Sequence, residues 1–211
     1  MKKLIALVLI LALPTMAFGA AGYSVIQNGG GAALAILQGS QDTVVLDVIL
    51  TQNQEAGWGF GGALVGPGAL TITSRAYGAP TNALNWLPNN PDATILGSTL
   101  ASLVDFGSVQ TAAGNDLLVG ATTVVTLTLS GTASLAAGVY PIVVGDSLDL
   151  PPSGGGGVDN NRGWWAPASL GGMAQSTDAT TAFTLTVLPI PEPATMLLLA
   201  LALPFLRRRS A

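Results

Sequence analysis

Residues 43–51 read Thr-Val-Val-Leu-Asp-Val-Ile-Leu-Thr, and this stretch decides the fold class. Every second residue from Val44 to Leu50 is apolar, whereas Asp47 and Thr51 fall on the opposite face. Alternation with a period of two is typical of a strand with one buried and one solvated face. The stretch therefore predicts a half-buried antiparallel sheet.

Two later stretches repeat this alternation, and their outer faces are rich in threonine, which suits a half-solvated sheet. In residues 122–130 the pattern predicts one face of Thr123, Val125, Leu127 and Leu129, opposed by Val124, Thr126, Thr128 and Ser130. In residues 181–188 it predicts a face of Phe183, Leu185 and Val187, opposed by Thr184 and Thr186.

Other short apolar stretches bring the total to about nine strands, separated by Gly- and Pro-rich turns such as 66–68. Many short strands without intervening helices predict an all-β antiparallel sandwich. A helix is possible at 93–103, although Gly97 weakens it. Long loops are expected at 77–92 and 146–176. The additional predicted strands are 23–27, 32–37, 58–65, 69–74, 102–107 and 139–144.

Composition excludes several kinds of catalysis. The chain has 211 residues, of which none is cysteine or histidine, so Ser-His-Asp and Cys-His arrangements and zinc sites of the usual ligand types cannot form. No lysine follows Lys3, which removes Ser-Lys dyads. A pair of carboxylates could still hydrolyse glycans. However, no spacing singles out a pair among Glu55 and the aspartates.

The charge is distributed unevenly along the chain. Between residues 20 and 190 only Arg75 and Arg162 are basic, whereas ten residues are acidic, which gives a formal charge of 2 − 10 = −8. An acidic domain lacks the basic surface that nucleic-acid binding requires. No nucleic-acid partner is therefore expected.

The N-terminus predicts export. Lys2 and Lys3 precede an apolar run at 4–13 and a small-residue zone at 14–21, the order of a secretory signal peptide. We expect a signal helix over residues 1–21 that is handled by the Sec translocon and signal peptidase. Cleavage is expected after Gly19 or, alternatively, after Ala21.

The C-terminus carries a second apolar run at 194–206, followed by Arg207, Arg208 and Arg209. A helix of this length reaches about 20 Å, whereas the hydrocarbon core is about 30 Å thick. The arginines are expected to stay on the cytoplasmic side and stop transfer. The run predicts a short, transient transmembrane helix, with a plain membrane anchor as the alternative.

Pro191, Glu192 and Pro193 stand directly before this run, and the three parts together resemble the PEP-CTERM sorting tail. The resemblance covers residues 189–211. It implies recognition and removal of the tail by an exosortase, in bacteria that make extracellular polysaccharide. It assigns no activity to the domain at 22–188.

The central region is similar to the cohesin-like, carbohydrate-binding-module-type jelly roll of bacterial surface proteins. The similarity rests on residues 43–48 followed by 60–64, and on the Ala-Gly-Val-Tyr-Pro-Ile step at 137–142. It implies a nine-stranded sandwich used for contacts with proteins or polysaccharide. No dockerin-binding residues can be assigned from it.

Two ligand hypotheses remain. Trp86, Trp164 and Trp165 adjoin Gly- and Asn-rich loops and could stack on sugar rings, or else pack the loops; Trp58 is expected in the core. Oxygen ligands crowd the predicted loop at 146–176, at Asp146, Asp149 and Asp159, and could bind calcium, although such residues more often stabilise turns.

Together these features predict an exported protein of the cell envelope, outer surface or extracellular matrix with a non-enzymatic structural or adhesive role. The alternative is a carbohydrate-binding module for exopolysaccharide. A weaker alternative is a glycan hydrolase.

Overall fold

The first sheet is built around the stretch with the clearest alternation. In the computed structural model, which describes residues 21–53, 55–145, 163–168 and 175–191, β3 spans Thr43–Gln52 and lies at the centre of a five-stranded sheet. Every second side chain from Val44 to Leu50 is buried, as predicted. In spatial order the strands are β13 (Asp178–Thr181), β1 (Ala21–Gln27), β3, β9 (Gly120–Ser130) and β6 (Thr71–Tyr77).

A four-stranded sheet contains the last strand of the described chain. Phe183, Leu185 and Val187 are buried and the threonines between them are not, so the alternation predicted there is confirmed. Two strands of this sheet, Ala33–Leu37 and Phe183–Leu188, pair in parallel, and its other pairs are antiparallel. In spatial order the strands are β2 (Ala33–Leu37), β14 (Phe183–Leu188), β10 (Gly138–Gly145) and β5 (Ala63–Val65).

A third sheet is joined to the second through Gly62. The single strand predicted at 58–65 is wrong, because Gly62 adopts a φ of +154° and divides it. A Cβ at Gly62 would lie 2.7 Å from Cγ1 of Val144, so only glycine fits this crossing. In spatial order the strands are β12 (Gln175–Ser176), β11 (Trp164–Pro167), β4 (Gly57–Gly61), β8 (Ser108–Gln110) and β7 (Trp86–Pro88).

One hydrophobic core joins the sheets. Leu46 enters it from the five-stranded sheet, Leu185 from the four-stranded sheet and Phe60 from the third, and all three side chains are fully buried. Sheets that share a core through their inner faces form a β-sandwich. The predicted fold class is therefore confirmed, although the described residues form fourteen strands, many of them short, and not nine.

One face of β9 differs from the prediction because the strand carries a bulge. Val48 pairs with Val125 and Ile49 with Thr123, so Val124 has no partner in β3 and is buried. The extra residue shifts the alternation by one position. Thr123 consequently lies opposite the outward-facing Ile49, and not on the face of Val125.

Two predicted elements around residue 100 are wrong. The helix expected at 93–103 is only α1, Asp92–Ile95, because Leu96 is extended and Gly97 has a φ of +88°. The strand expected at 102–107 is a loop in which Leu103 adopts a left-handed φ of +53°.

Three short strands lie in segments predicted as loops. β7 falls within 77–92, and β11 and β12 fall within 146–176. β6 begins two residues later and ends three residues later than the predicted strand at 69–74. β7 and β11 each end in a proline, and pairing with a neighbouring strand outweighs their weak local preference for the strand conformation.

Candidate interaction surface

The three tryptophans expected either to stack on sugars or to pack the loops lie inside the domain. Trp86, Trp164 and Trp165 expose 6%, 3% and 3% of their surface. Trp86 packs on Phe60, with ring centroids 5.9 Å apart, and its Nε1 donates to the backbone oxygen of Asn115 at 3.0 Å. Stacking on a sugar requires an exposed ring face, and none of the three presents one. Trp58, expected in the core, is half-buried at the start of β4.

Trp164 belongs to a buried polar centre around Asp105, whose residue surface is 1% exposed. The Asp105 carboxylate accepts hydrogen bonds from the backbone N–H groups of Gly62 and Gly107. It also accepts from Nε1 of Trp164 at 2.9 Å and from Nδ2 of Asn89 at 3.4 Å. One side chain thereby connects the β4–β5 crossing, the segment before β8, the segment after β7, and β11.

Tyr23 completes the polar centre from β1. Its hydroxyl donates to the backbone oxygen of Trp164 at 2.8 Å and accepts from the N–H of Gly61 at 3.0 Å. Burial raises the pKa of Tyr23 well above its ordinary value, the Gly61 hydrogen bond opposes this, and the nearby Asp105 charge adds to it. The neutral hydroxyl is thus retained as a link between the sheets.

Glycines allow the polar centre to be this tight. A Cβ at Gly61 would lie 2.5 Å from Nε1 of Trp164 and 2.6 Å from Oδ1 of Asp105. A Cβ at Gly163 would lie 2.6 Å from the backbone oxygen of Gly61. Sequence reasoning missed this centre. Its signal was the dense run of glycines at 57–62, combined with a single aspartate far away in sequence.

The polar centre is built for stability and not for turnover. Its carboxylate accepts donors supplied by the protein itself, and a general acid or base must instead reach substrate. Asp47, a second buried carboxylate, accepts from Nδ2 of Asn28 at 3.1 Å and from Oγ1 of Thr126 at 2.6 Å. Within the described ranges no cluster of three or more acidic side chains could hold a metal ion.

Within the described ranges Arg75 is the only basic residue, and its guanidinium makes contacts inside the domain. Its Nη2 lies 2.7 Å from Oδ1 of Asp92 and donates to the backbone oxygen of Asn90 at 2.9 Å. Its guanidinium stands 4.9 Å from the ring centroid of Tyr77. Arg75 therefore fixes α1 to β6 and gives no basic patch for an anionic ligand.

The outer face of the four-stranded sheet is the strongest candidate for a contact surface. Register places side chains from β2, β14, β10 and β5 on it, and none is charged. Val139 is 65% exposed, and Leu37 and Leu188 lie directly opposite each other and are also exposed. We call this set the apolar face; it comprises Ala33, Ala35, Leu37, Val65, Val139, Pro141, Val143, Thr184, Thr186 and Leu188.

The outer face of the five-stranded sheet has a different chemistry. It presents Thr and Ser side chains from β9 and the Asp47 carboxylate from β3, with Val45 as an apolar residue that is 37% exposed. A solvated sheet face normally alternates to polar residues in this way. The apolar face carries no charge and has only Thr184 and Thr186 as polar side chains, and an exposed apolar patch of this kind is a candidate contact surface.

Several predicted residues lie outside the described ranges. These include the candidate calcium ligands Asp146, Asp149 and Asp159. They also include most of the sorting tail: Glu192, Pro193, the apolar run 194–206, and Arg207, Arg208 and Arg209. Pro191 is described and exposed, three residues after β14 ends. In the described part of the chain, no helix has the length and apolarity needed to span a membrane.

The fold is similar to that of solved cohesin modules. CaCohA2 from Clostridium acetobutylicum is 13% identical, with a TM-score of 0.50 over 80% of this chain and 92% of its own. The type III cohesin module of the cell-surface anchoring scaffoldin ScaE from Ruminococcus flavefaciens is 9% identical, with a TM-score of 0.50 over 82% and 89%. No protein-family model and no curated protein matches the chain. The central domain is thus a cohesin-like β-sandwich, as its sequence patterns predicted.

Proposed function

We propose that this chain is a non-enzymatic adhesion component of the cell surface or extracellular matrix, and that it makes its contacts through the apolar face. The observation that carries this proposal is the uncharged outer side of the four-stranded sheet, where Val139, Leu37 and Leu188 are exposed. Contiguous exposed apolar surface is costly in water and marks interaction sites. The cohesin-like sandwich is compatible with such a role, since one solved example belongs to a cell-surface anchoring scaffoldin.

The proposed route to the surface is export through the N-terminal signal, followed by exosortase recognition of Pro191, Glu192 and Pro193. Because β14 ends at Leu188, only two residues separate the paired strand from the recognition triplet. An exosortase would therefore cut directly beside a folded domain, with the run 194–206 holding the chain in the inner membrane until then.

The adhesive role is tested by placing a charge on the apolar face. Val139→Asp should leave the fold intact because the side chain is mostly exposed. Burying the new carboxylate against a partner costs more than the 1.4 kcal/mol that corresponds to a tenfold change in binding. We expect about tenfold more of this variant in the medium relative to the cell-and-matrix fraction.

Val45→Asp is the matched control, since Val45 is an exposed valine on the outer face of the opposite sheet. It should fractionate like the wild type. If both variants are retained like the wild type, the apolar face is not the contact surface.

A protein partner is favoured over exopolysaccharide, which stays the alternative. Sugar recognition usually employs aromatic faces, and those of Trp86, Trp164 and Trp165 are buried. Purified exopolysaccharide should accordingly not sediment with the chain. Co-sedimentation that Val139→Asp abolishes would reverse this choice.

The sorting proposal is tested separately at Glu192. In a producing cell, Glu192→Ala should accumulate as a longer, membrane-bound chain that keeps its tail. Glu55→Ala is the control, because Glu55 is the chain's other glutamate and lies far from the tail in sequence. Normal processing of Glu192→Ala would show that the triplet is not read.

A further inference from the structure

Strand β2 forms the free edge of the four-stranded sheet. Among the described residues only β14 pairs with it, from Thr184 opposite Ala33 to Leu188 opposite Leu37. The N–H of Gln38 donates to Leu188 and the N–H of Thr184 donates to Ala32, so even-numbered residues of β2 face β14. In a parallel pair the intervening residues direct their backbone groups to the other side. Ala33, Ala35 and Leu37 therefore present backbone donors and acceptors at the edge.

The other described edge strands are protected in the ways natural sheets use. β6 carries a bulge between Ile72 and Ser74, and its edge is covered where the N–H of Ile72 donates to Ser98. β7 has three residues and ends in Pro88. β5, β12 and β13 have three, two and four residues.

Within the described ranges, β2 has none of these protections. It spans five residues without proline, bulge or charge, and no residue from Asn28 to Gln41 is charged. Two copies of an otherwise acidic domain would therefore meet at this edge without like-charge repulsion. An uncharged, regular and uncovered edge is a template for another strand.

We propose that β2 pairs antiparallel with β2 of a second copy of this chain, with Ala35 opposite Ala35 of the other copy. This deepens the proposed function, on which it rests, by naming the partner at the edge of the apolar face. In this register Ala35 exchanges both backbone hydrogen bonds with Ala35 of the other copy. Ala33 lies opposite Leu37 of the other copy and accepts from its N–H.

The backbone oxygen of Leu37 already accepts from Oγ of Ser40 at 2.6 Å and from the N–H of Ser40 at 3.0 Å, so the central Ala35 pair is the strongest link. The pairing is two-fold symmetric and closes on itself, which gives a dimer and not a fibre. It also joins the apolar faces of the two copies into one continuous surface. Leu34, which is partly buried at the edge, gains cover from Ile36 of the other copy.

Cysteine cross-linking tests the pairing and its register, because the chain has no cysteine of its own. Opposed residues in a hydrogen-bonded antiparallel pair have Cα atoms about 5.5 Å apart, which a disulfide can bridge. In full chains exported by producing cells, Ala35→Cys should form a disulfide-linked dimer on a non-reducing gel.

The register predicts which other positions cross-link. Ala33→Cys alone should not, because the two copies of residue 33 lie about 14 Å apart. Ala33→Cys mixed with Leu37→Cys should give the mixed dimer, and Val139→Cys, on the same face but two strands away from the edge, should stay monomeric. Equal cross-linking of Ala33→Cys and Ala35→Cys would indicate random collision and overturn the proposal, as would absence of all cross-links under oxidation.

Blocking the edge supplies a second measurement. Ala35→Lys puts a charge at the centre of the pair, and Ala35→Pro removes an N–H that β14 does not use. In sedimentation of the full chain in detergent, both variants should dimerise at least tenfold more weakly than the wild type, while their circular dichroism stays unchanged. If both variants dimerise like the wild type, the proposal is contradicted. If Val139→Asp leaves surface retention intact while Ala35→Cys cross-links, the adhesive role fails and the dimer stands. If Val139→Asp releases the chain into the medium while Ala35→Cys gives no cross-link, the dimer fails and the adhesive role stands.

Discussion

Replacing Asp105 by asparagine should destabilise the domain although the two side chains have nearly the same shape. One carboxylate oxygen accepts from the N–H groups of Gly62 and Gly107, and the other accepts from Trp164 and Asn89. An amide group has only one acceptor oxygen. Whichever way it turns, its NH₂ group faces N–H donors that then lack a partner.

The cost follows from these contacts. A hydrogen bond to a charged group contributes about 1.5–3 kcal/mol, and a buried donor left without a partner costs about 1–3 kcal/mol. We expect Asp105→Asn to lower the free energy of unfolding by roughly 2–4 kcal/mol. That is a large part of the roughly 5–15 kcal/mol that stabilises a typical domain. At about 2–4 °C for each kcal/mol, the melting temperature should fall by about 5–15 °C.

Thermal unfolding of the purified mature chain, followed by circular dichroism and tryptophan fluorescence, measures this change. Asp42→Asn is the control, because Asp42 is exposed and should change stability by less than about 0.5 kcal/mol. A melting temperature of Asp105→Asn equal to that of Asp42→Asn would refute the idea that Asp105 holds the sheets together.

Three further predictions concern the same domain. Folding raises the pKa values of Tyr23 and Tyr77 through burial, so the folded state holds these protons more tightly. The free energy of unfolding should therefore be unaffected well below pH 10 and should fall above pH 10 by up to about 1.4 kcal/mol per pH unit for each tyrosine. In denaturant titrations at alkaline pH, Tyr23→Phe should reduce this dependence on pH. Gly61→Ala should lower the melting temperature by several degrees in a thermal scan, because its Cβ would lie 2.5 Å from Nε1 of Trp164, and a variant as stable as the wild type would contradict that contact. Signal cleavage should leave Ala20 as the first residue, detectable by mass spectrometry, because Ala21 is buried in β1 and pairs with Gln52; a mature chain beginning at Gly22 would contradict this.

The long strands could be predicted from the sequence because each buries one face along its whole length. The alternation from Val44 to Leu50 and from Phe183 to Val187 reports directly on which side chains enter the core. Such periodicity is a local property, so it survives without knowledge of the partner strands.

The short strands and the bulge could not be predicted, because their causes are not local. β7 holds a proline and pairs with only three residues of β8, so its pattern carries no period. Val124 is pushed out of register by the strand opposite it, and nothing in residues 122–130 indicates this.

The polar centre and the apolar face lie beyond sequence reasoning for a related reason. Asp105 and Trp164 are 59 residues apart and meet only when the sheets are assembled. Trp86, Trp164 and Trp165 have Gly- and Asn-rich surroundings in sequence but are buried, because they lie in strands that pair with neighbours distant in sequence. The apolar face emerges only when register aligns the outer residues of four strands that are distant in sequence.

We propose that the apolar face is covered by a partner at the cell surface. Hydroxyl-radical footprinting of the chain on intact producing cells, compared with the purified mature chain in dilute solution, tests it most directly. Oxidation of Val139 and Leu188 should fall several-fold on the cells, whereas oxidation of Val45, an exposed valine on the opposite sheet, should stay the same. Equal oxidation of Val139 and Leu188 in both settings, or protection of Val45 alone, would contradict the account.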